Sequence, residues 1–286
     1  MNGRLWTPDL IRPPLPVVEG ALRNLRRRDQ ERWKHISDPR VDLYKRQCAI
    51  SYASLTSGSN TANQSTAYST ASVTPSANKL ILLIVLCTAT ALRTMTVSGC
   101  SLTWVEEETI TFNTAGTPLW RLSVFRAMGA SPTTGTVDIL PSASSTGMLW
   151  SLVELDGVDT TGTNGSGAIV QSVPDRTDGV TTFAVTLAAF GSADNATFGA
   201  FGTSRNEVHT QGAGFTQAHD VGMTAPAARV QTQYLLGNST TVDCSWTNAA
   251  AVGGIGIEIK AAAAGAAFLA SQNKPIDQAV NRASFF

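Results

Sequence analysis

From about residue 48 to residue 262 the chain consists of short apolar runs broken by turn residues, with no helical pattern between them. Runs rich in β-branched and aromatic residues fall at 79–89, 94–98, 101–113, 119–127, 135–140, 148–155, 167–173, 180–187, 196–202, 228–236, 240–247 and 252–260. Gly, Pro, Asn and Asp stand between them. Such side chains suit a pleated, half-buried surface, and the punctuating residues supply turns. Strands that follow one another without helices can bury their faces only on other strands. The pattern therefore predicts an all-β sandwich or barrel. The stretch before residue 79 is less obvious, since twelve of the 24 residues from Ser51 to Thr74 are Ser or Thr. Alternation in Cys48–Tyr52 and Ala67–Val73 still reads as strand. The most apolar run, Leu80–Leu86, has seven residues, whereas a membrane-crossing helix needs about 20.

Charge divides the chain. Residues 1–46 carry eleven Lys/Arg against six Asp/Glu, and residues 47–286 carry ten against fifteen, so a net +5 cancels a net −5. Charged residues make up 15% of the chain, below the roughly 25% of ordinary soluble domains. A basic arm on a charge-poor β body fits docking through one end and display of the other. Residues 1–16 hold four prolines, which remove donors and fix φ, so an extended segment is expected there. From Val17 to about Ile36 the spacing of Val18, Leu22, Leu25 and Trp33 predicts a helix, ended by Ser37-Asp38-Pro39. Leu5, Trp6, Leu10, Ile11, Leu22, Leu25 and Trp33 lie outside the strand pattern and are the candidate protein–protein docking residues. Arg26-Arg27-Arg28 could neutralise phosphates. Asp29, Glu31, Asp38 and Asp42 dilute that field, which favours an acidic protein surface over nucleic acid. The divisions expected are a docking arm and helix at 1–46, a β body at 47–262 and an extended C-terminal arm at 263–286. No secretory signal follows Met1, so synthesis in the cytoplasm is expected.

The body offers few groups in catalytic patterns. Cys48, Cys87, Cys100 and Cys244 form no CxxC pair and make no zinc spacing with His35, His209 and His219. They read as free, buried thiols. Asp156, Asp159, Asp175 and Asp178 could supply oxygen ligands to Ca²⁺, but Asp-Gly and Asp-Thr-Thr-Gly are also ordinary turn sequences. Strand alternation would put Glu106 and Glu108 on one face and Glu107 on the other. His209 and His219 fall in a loop-like insert with Gln211 and Phe215, a surface element available for glycan or protein contact. No GxSxG elbow accompanies them. Trp104, Trp120 and Trp150 read as core, and Gly253, Gly254 and Gly256 as places of close backbone approach.

Five segments carry a resemblance: Val97-Ser-Gly-Cys-Ser-Leu-Thr-Trp-Val, Trp120-Arg-Leu-Ser-Val-Phe-Arg-Ala, Trp150-Ser-Leu-Val-Glu-Leu-Asp-Gly-Val-Asp-Thr, Phe198-Gly-Ala-Phe-Gly and Gly254-Ile-Gly-Ile-Glu-Ile-Lys. Together, over roughly residues 48–262, they resemble β-sandwich modules of tailed-bacteriophage and prophage structural proteins. The resemblance implies a jelly-roll-like β-sandwich, often trimeric, attached to the virion by an N-terminal arm. The expectation is an all-β, jelly-roll-like β-sandwich with an N-terminal extended arm plus one α-helix and a C-terminal extended arm. It would serve as a minor tail or tail-tip fibre component, made in the host cytoplasm and located in the virion. Its partners would be other virion proteins and two further copies of itself, a homotrimer, with a host surface glycan as a further candidate. No catalytic residue, cofactor or metal is expected. The alternatives are a capsid decoration protein or head fibre, and a carbohydrate-binding or degrading module acting on the host envelope.

Overall fold

The computed structural model describes residues 49–113 and 119–263. The expected arm and helix at 1–46, with all seven candidate docking residues, lie outside the described residues, as do Cys48 and the C-terminal arm beyond residue 263.

Among the described residues the chain forms fourteen strands: β1 (Ser51–Asn60), β2 (Tyr68–Ser69), β3 (Leu80–Ala89), β4 (Met95–Gly99), β5 (Val105–Phe112), β6 (Leu119–Ala127), β7 (Val137–Pro141), β8 (Gly147–Asp156), β9 (Ile169–Thr186), β10 (Ala196–Thr203), β11 (Thr210–Gln211), β12 (Thr216–Thr224), β13 (Ala227–Leu235) and β14 (Thr241–Ile259). They build an antiparallel sheet in the order β1-β8-β3-β6-β5 and a second in the order β11-β14-β10-β13-β12, with β9 also paired to β14. A small third sheet runs β2-β7-β4. The all-β, sandwich-like expectation holds, and the layering goes beyond two sheets.

β3 shows why. Its sequence, Leu-Ile-Leu-Leu-Ile-Val-Leu-Cys-Thr-Ala, has no polar alternation, and every residue is buried. Side chains alternate across a strand, so a strand that is apolar at every position needs cover on both faces. Leu80, Leu82, Ile84 and Leu86 enter one core with Phe198, Val230, Ile255 and Ile257 of the second sheet. Ile81, Leu83, Val85 and Cys87 enter another with Tyr68, Met95, Val137 and Ile139 of the small sheet. The first sheet is thus the middle layer of three.

A third core covers the outer face of the second sheet. There β9 and β14 form a long ribbon that bends where the register shifts between Ser245 and Ala250. Fourteen extended residues would span roughly 46 Å at about 3.3 Å each. Yet Val242 Cγ2 lies 3.3 Å from where a Gly256 Cβ would stand. The ribbon therefore folds back on its own strand. Phe183, Val185, Val242, Cys244 and Trp246 face down onto Phe201 and Val252. The glycines permit this approach, through side chains more than backbone. A Cβ on Gly254 would sit 2.9 Å from Phe201 Cδ1, and one on Gly253 would sit 2.5 Å from Phe112 Cδ1 on the opposite face.

At their edges, where unpaired strands stay open to pairing, the two main sheets touch through side chains. On one side Ser59 Oγ donates to the Gly222 carbonyl, and the Tyr52 and Tyr234 rings stack 4.0 Å apart. On the other Arg176 Nη1 donates to the Thr111 carbonyl at 2.5 Å.

Candidate functional site

Both body histidines contact the second sheet, His219 in a polar network that joins it to the first sheet and His209 in one within the second sheet itself. His219 sits on β12, just past a bulge between Gln217 and His219, and Ser54 sits on β1 beside a bulge between Ser54 and Thr56. Bulges re-aim side chains, and these two face each other across the seam between the main sheets. Ser54 Oγ lies 2.5 Å from His219 Nε2, and Ser151 Oγ lies 2.8 Å from Nδ1 and 2.9 Å from Thr232 Oγ1. Burial pushes the imidazole below its usual pKa range. A serine against an imidazole is the first half of a hydrolase triad. The second half requires a carboxylate on the far nitrogen to stabilise the imidazolium. Here that nitrogen meets the neutral Ser151 hydroxyl, so the arrangement bonds two sheets and has no carboxylate in the triad position.

His209 is more deeply placed. The insert expected to be a surface element is exposed at Arg205, Val208, Thr210 and Gly214 and is anchored on the outer face of the second sheet. Gln211 stays exposed, but Phe215 and His209 are buried, His209 to 2% exposure. The reason lies in the face beneath, where β13 presents Arg229, Gln231 and Gln233, polar groups that need covering partners. The His209 N–H donates to Asp220 Oδ2 at 3.2 Å, and its Nε2 lies 2.9 Å from Thr203 Oγ1. Arg229 Nε donates to Asp220 Oδ1 at 2.5 Å and Nη1 to Asn206 Oδ1 at 3.1 Å. The His209 and Trp246 rings are 5.3 Å apart. Burial lowers the His209 pKa to about 4, against the opposing field of Asp220 and with help from Arg229.

Among the described residues the glutamates weighed above, and the buried Glu154 and Glu258, are each placed by separate partners. A bulge between Glu106 and Glu108 sets Glu106 opposite Phe125 and Glu108 opposite Val124, on opposite faces of the sheet. Simple alternation had placed them together. Glu106 Oε1 accepts from Arg121 Nη2 at 2.9 Å and Ser123 Oγ at 2.8 Å, Glu107 pairs with Arg126, and Glu108 Oε1 accepts from the Thr109 N–H at 2.9 Å. Buried Glu258 accepts from Gln171 and Asn195, both at 2.6 Å, and buried Glu154 from the Ser76 N–H at 2.6 Å. Of the four aspartates weighed as calcium ligands, Asp156 lies 3.4 Å from Lys79 Nζ and Asp159 lies 2.7 Å from Lys260 Nζ. Lys260 and the Thr161 N–H hold Asp159 down at about pKa 2. Asp175 and Asp178 stand on β9. Among the described residues no three His, Cys, Asp or Glu side chains are grouped to hold a metal ion.

Cys87, Cys100 and Cys244 are free, buried thiols, and burial raises all three, Cys87 to about 11. Trp120 and Trp150 are core, as expected, while Trp104 is half-buried, its Nε1 donating to the Gly99 carbonyl at 3.3 Å. A groove of about 530 Å³ runs along the folded-back ribbon past Thr182, Phe183, Thr241, Asp243 and Ser245. Its single carboxylate is one short of the pair that most glycoside hydrolases use. Among the described residues no helix is long and apolar enough to cross a membrane.

Comparison with protein-family models, with curated proteins and with solved structures finds no match to this chain.

Proposed function

We propose that this chain is a phage virion structural protein, a minor tail or tail-tip fibre component that displays its β body outward and docks through residues 1–46. One observation carries the reading: the histidines and buried carboxylates of the body sit in structural bonds. His219 bridges the two main sheets, His209 ties its segment to the second sheet, and buried Glu154 and Glu258 are bonded to donors. Such a body is suited to rigidity and display rather than turnover. The basic charge and the seven apolar anchors instead belong to the segment before residue 47. The segment resemblance set out above supplies the virion setting.

The homotrimer is part of this proposal and rests on the resemblance. Sedimentation of the full chain at micromolar concentration tests it. A host surface glycan remains a proposed contact of the body, and protein docking is preferred to nucleic acid for the arm.

The role is tested by quantitative mass spectrometry of purified particles, followed by a reconstruction or immunogold labelling. Stoichiometric presence at the tail supports the proposal. Labelling on the head would favour the decoration-protein alternative, and absence from particles would overturn both.

A further inference from the structure

Three buried polar atoms on the outer face of the second sheet have no protein partner: His209 Nδ1, Gln231 Oε1 and Trp246 Nε1. Their residues are 2%, 0% and 7% exposed. Tyr52 Oη, Ser172 Oγ and the Trp120 and Trp150 indole N–H groups are also unpartnered, but Tyr52 and both Trp rings lie at the cores that flank the first sheet and Ser172 stands opposite Ile257. The other three share one face of the second sheet. Gln231 stands on β13 opposite Asp220 of β12 on one side and Phe201 of β10 on the other. His209 is bonded to Asp220 through its N–H and to Thr203, two residues beyond Phe201, through its ring. The imidazole is therefore held over β13 beside Gln231, with the Trp246 ring against it.

The hydrogen-bonding role of each atom can be fixed from its neighbours. The Thr203 hydroxyl donates its one proton to the Arg205 carbonyl, 3.1 Å away. With its proton given there it accepts from His209, and we assign the tautomer on that basis: Nε2 carries the proton and Nδ1 presents a lone pair. Gln233 Oε1 accepts from the Gly212 N–H at 3.1 Å, and Gln233 Nε2 donates to the Asp243 carbonyl at 2.9 Å. A backbone N–H can only donate and a carbonyl only accept, so the Gln233 amide has one orientation. Gln231 meets Gln233 Oε1 at 3.3 Å and must do so with its NH₂, which leaves Oε1 as a second free acceptor. Trp246 Nε1 is donor only.

Two acceptors and one donor are the complement of a single water molecule, which gives two protons and accepts one. An ammonium ion cannot accept, and an alcohol has only one proton to give. We propose that His209, Gln231 and Trp246 form a closed binding site for one water molecule. The site joins three stretches of chain: the 204–215 segment, β13 and β14. Buried waters with about three partners are conserved parts of a structure and costly to remove. This one keys the anchored segment onto the sheet, and it exchanges with bulk solvent only when that segment lifts.

A crystal structure of the full chain at about 1.5 Å or better should show one spherical peak roughly 2.7–3.2 Å from all three atoms. Direct bonding of Trp246 Nε1 to His209 Nδ1 or Gln231 Oε1, or a peak touching only one of them, would overturn the proposal. In solution, long-range ¹H–¹⁵N correlation should report the Nε2–H tautomer of His209. The Trp246 indole proton should show a cross-relaxation peak to a water resident for longer than about a microsecond. The Nδ1–H tautomer, or an indole proton with no such peak, would equally refute it.

Discussion

Truncating Leu82 and Leu83 separately to alanine distinguishes a three-layer body from a two-layer one. They are neighbours on β3, both fully buried, and enter different cores. Leu82 packs between the two main sheets and Leu83 between the middle sheet and β2-β7-β4. Buried Leu→Ala changes cost about 2–5 kcal/mol, from lost transfer energy and the cavity left behind. The layering predicts a loss in that range for each variant, against a total stability of about 5–15 kcal/mol for a domain. A two-layer sandwich would expose every second residue of β3, and Leu83→Ala would then fall within about 0.5 kcal/mol of the parent. Leu82 and Leu83 are adjacent on β3, so the double variant reads coupling through the shared strand as a departure from the sum of the single effects. Leu140→Ala, at a residue 44% exposed, is the surface control. Equilibrium urea unfolding gives all four values, provided the slope stays constant. A Leu83→Ala loss no larger than the Leu140→Ala loss would refute the middle-layer assignment.

Three further outcomes follow from the buried groups. His209 titrates near pH 4 in the folded chain against 6.5 when unperturbed. As pH falls through that window the unfolded chain takes up a proton that the native state refuses, and stability drops by about 3 kcal/mol before levelling off. His219, also lowered, acts in the same direction, and His209→Gln should remove most of the slope between pH 6.5 and 4. A variant with an unchanged slope would count against burial as the cause. Gly253→Ala should cost about 1–3 kcal/mol by overpacking, whereas Gly135→Ala, with open space around its Cβ, should be near neutral; equal melting shifts would contradict the contact. Cys87, Cys100 and Cys244 should alkylate at least about tenfold more slowly in the native than in the denatured chain, and intact mass should show no disulfide among them; native labelling at the denatured rate would contradict burial.

Much of the fold was legible in the sequence because buried strands announce themselves. The expected 119–127 is β6, and 79–89 and 196–202 agree with β3 and β10 to within a residue at each end. What was misread shares a physical cause. The runs 167–173 and 180–187 are one strand, β9, whose Pro174 and Asp178-Gly179 look like breakers. β9 pairs only with β14, and an edge strand tolerates proline. Gly179, at φ 72°, sits where the register shifts. β12 was hidden because it is a half-exposed edge strand, Thr-Gln-Ala-His-Asp-Val-Gly-Met-Thr, with little apolar periodicity. The His219 network was out of reach for the same reason: Ser54 and Ser151 lie 97 residues apart in sequence, and two bulges bring the seam together. Gln231-Thr232-Gln233, polar on both faces of a central strand, was the one signal that both sides of β13 would need polar partners.

The account's central claim is that residues 1–46 dock and the β body is displayed. Its most direct test compares full-length chain with residues 47–286 in particles assembled from each. The account predicts that the truncated chain is folded, keeps the parent's unfolding transition, and is absent from the particles. Truncated chain present at normal occupancy would contradict it.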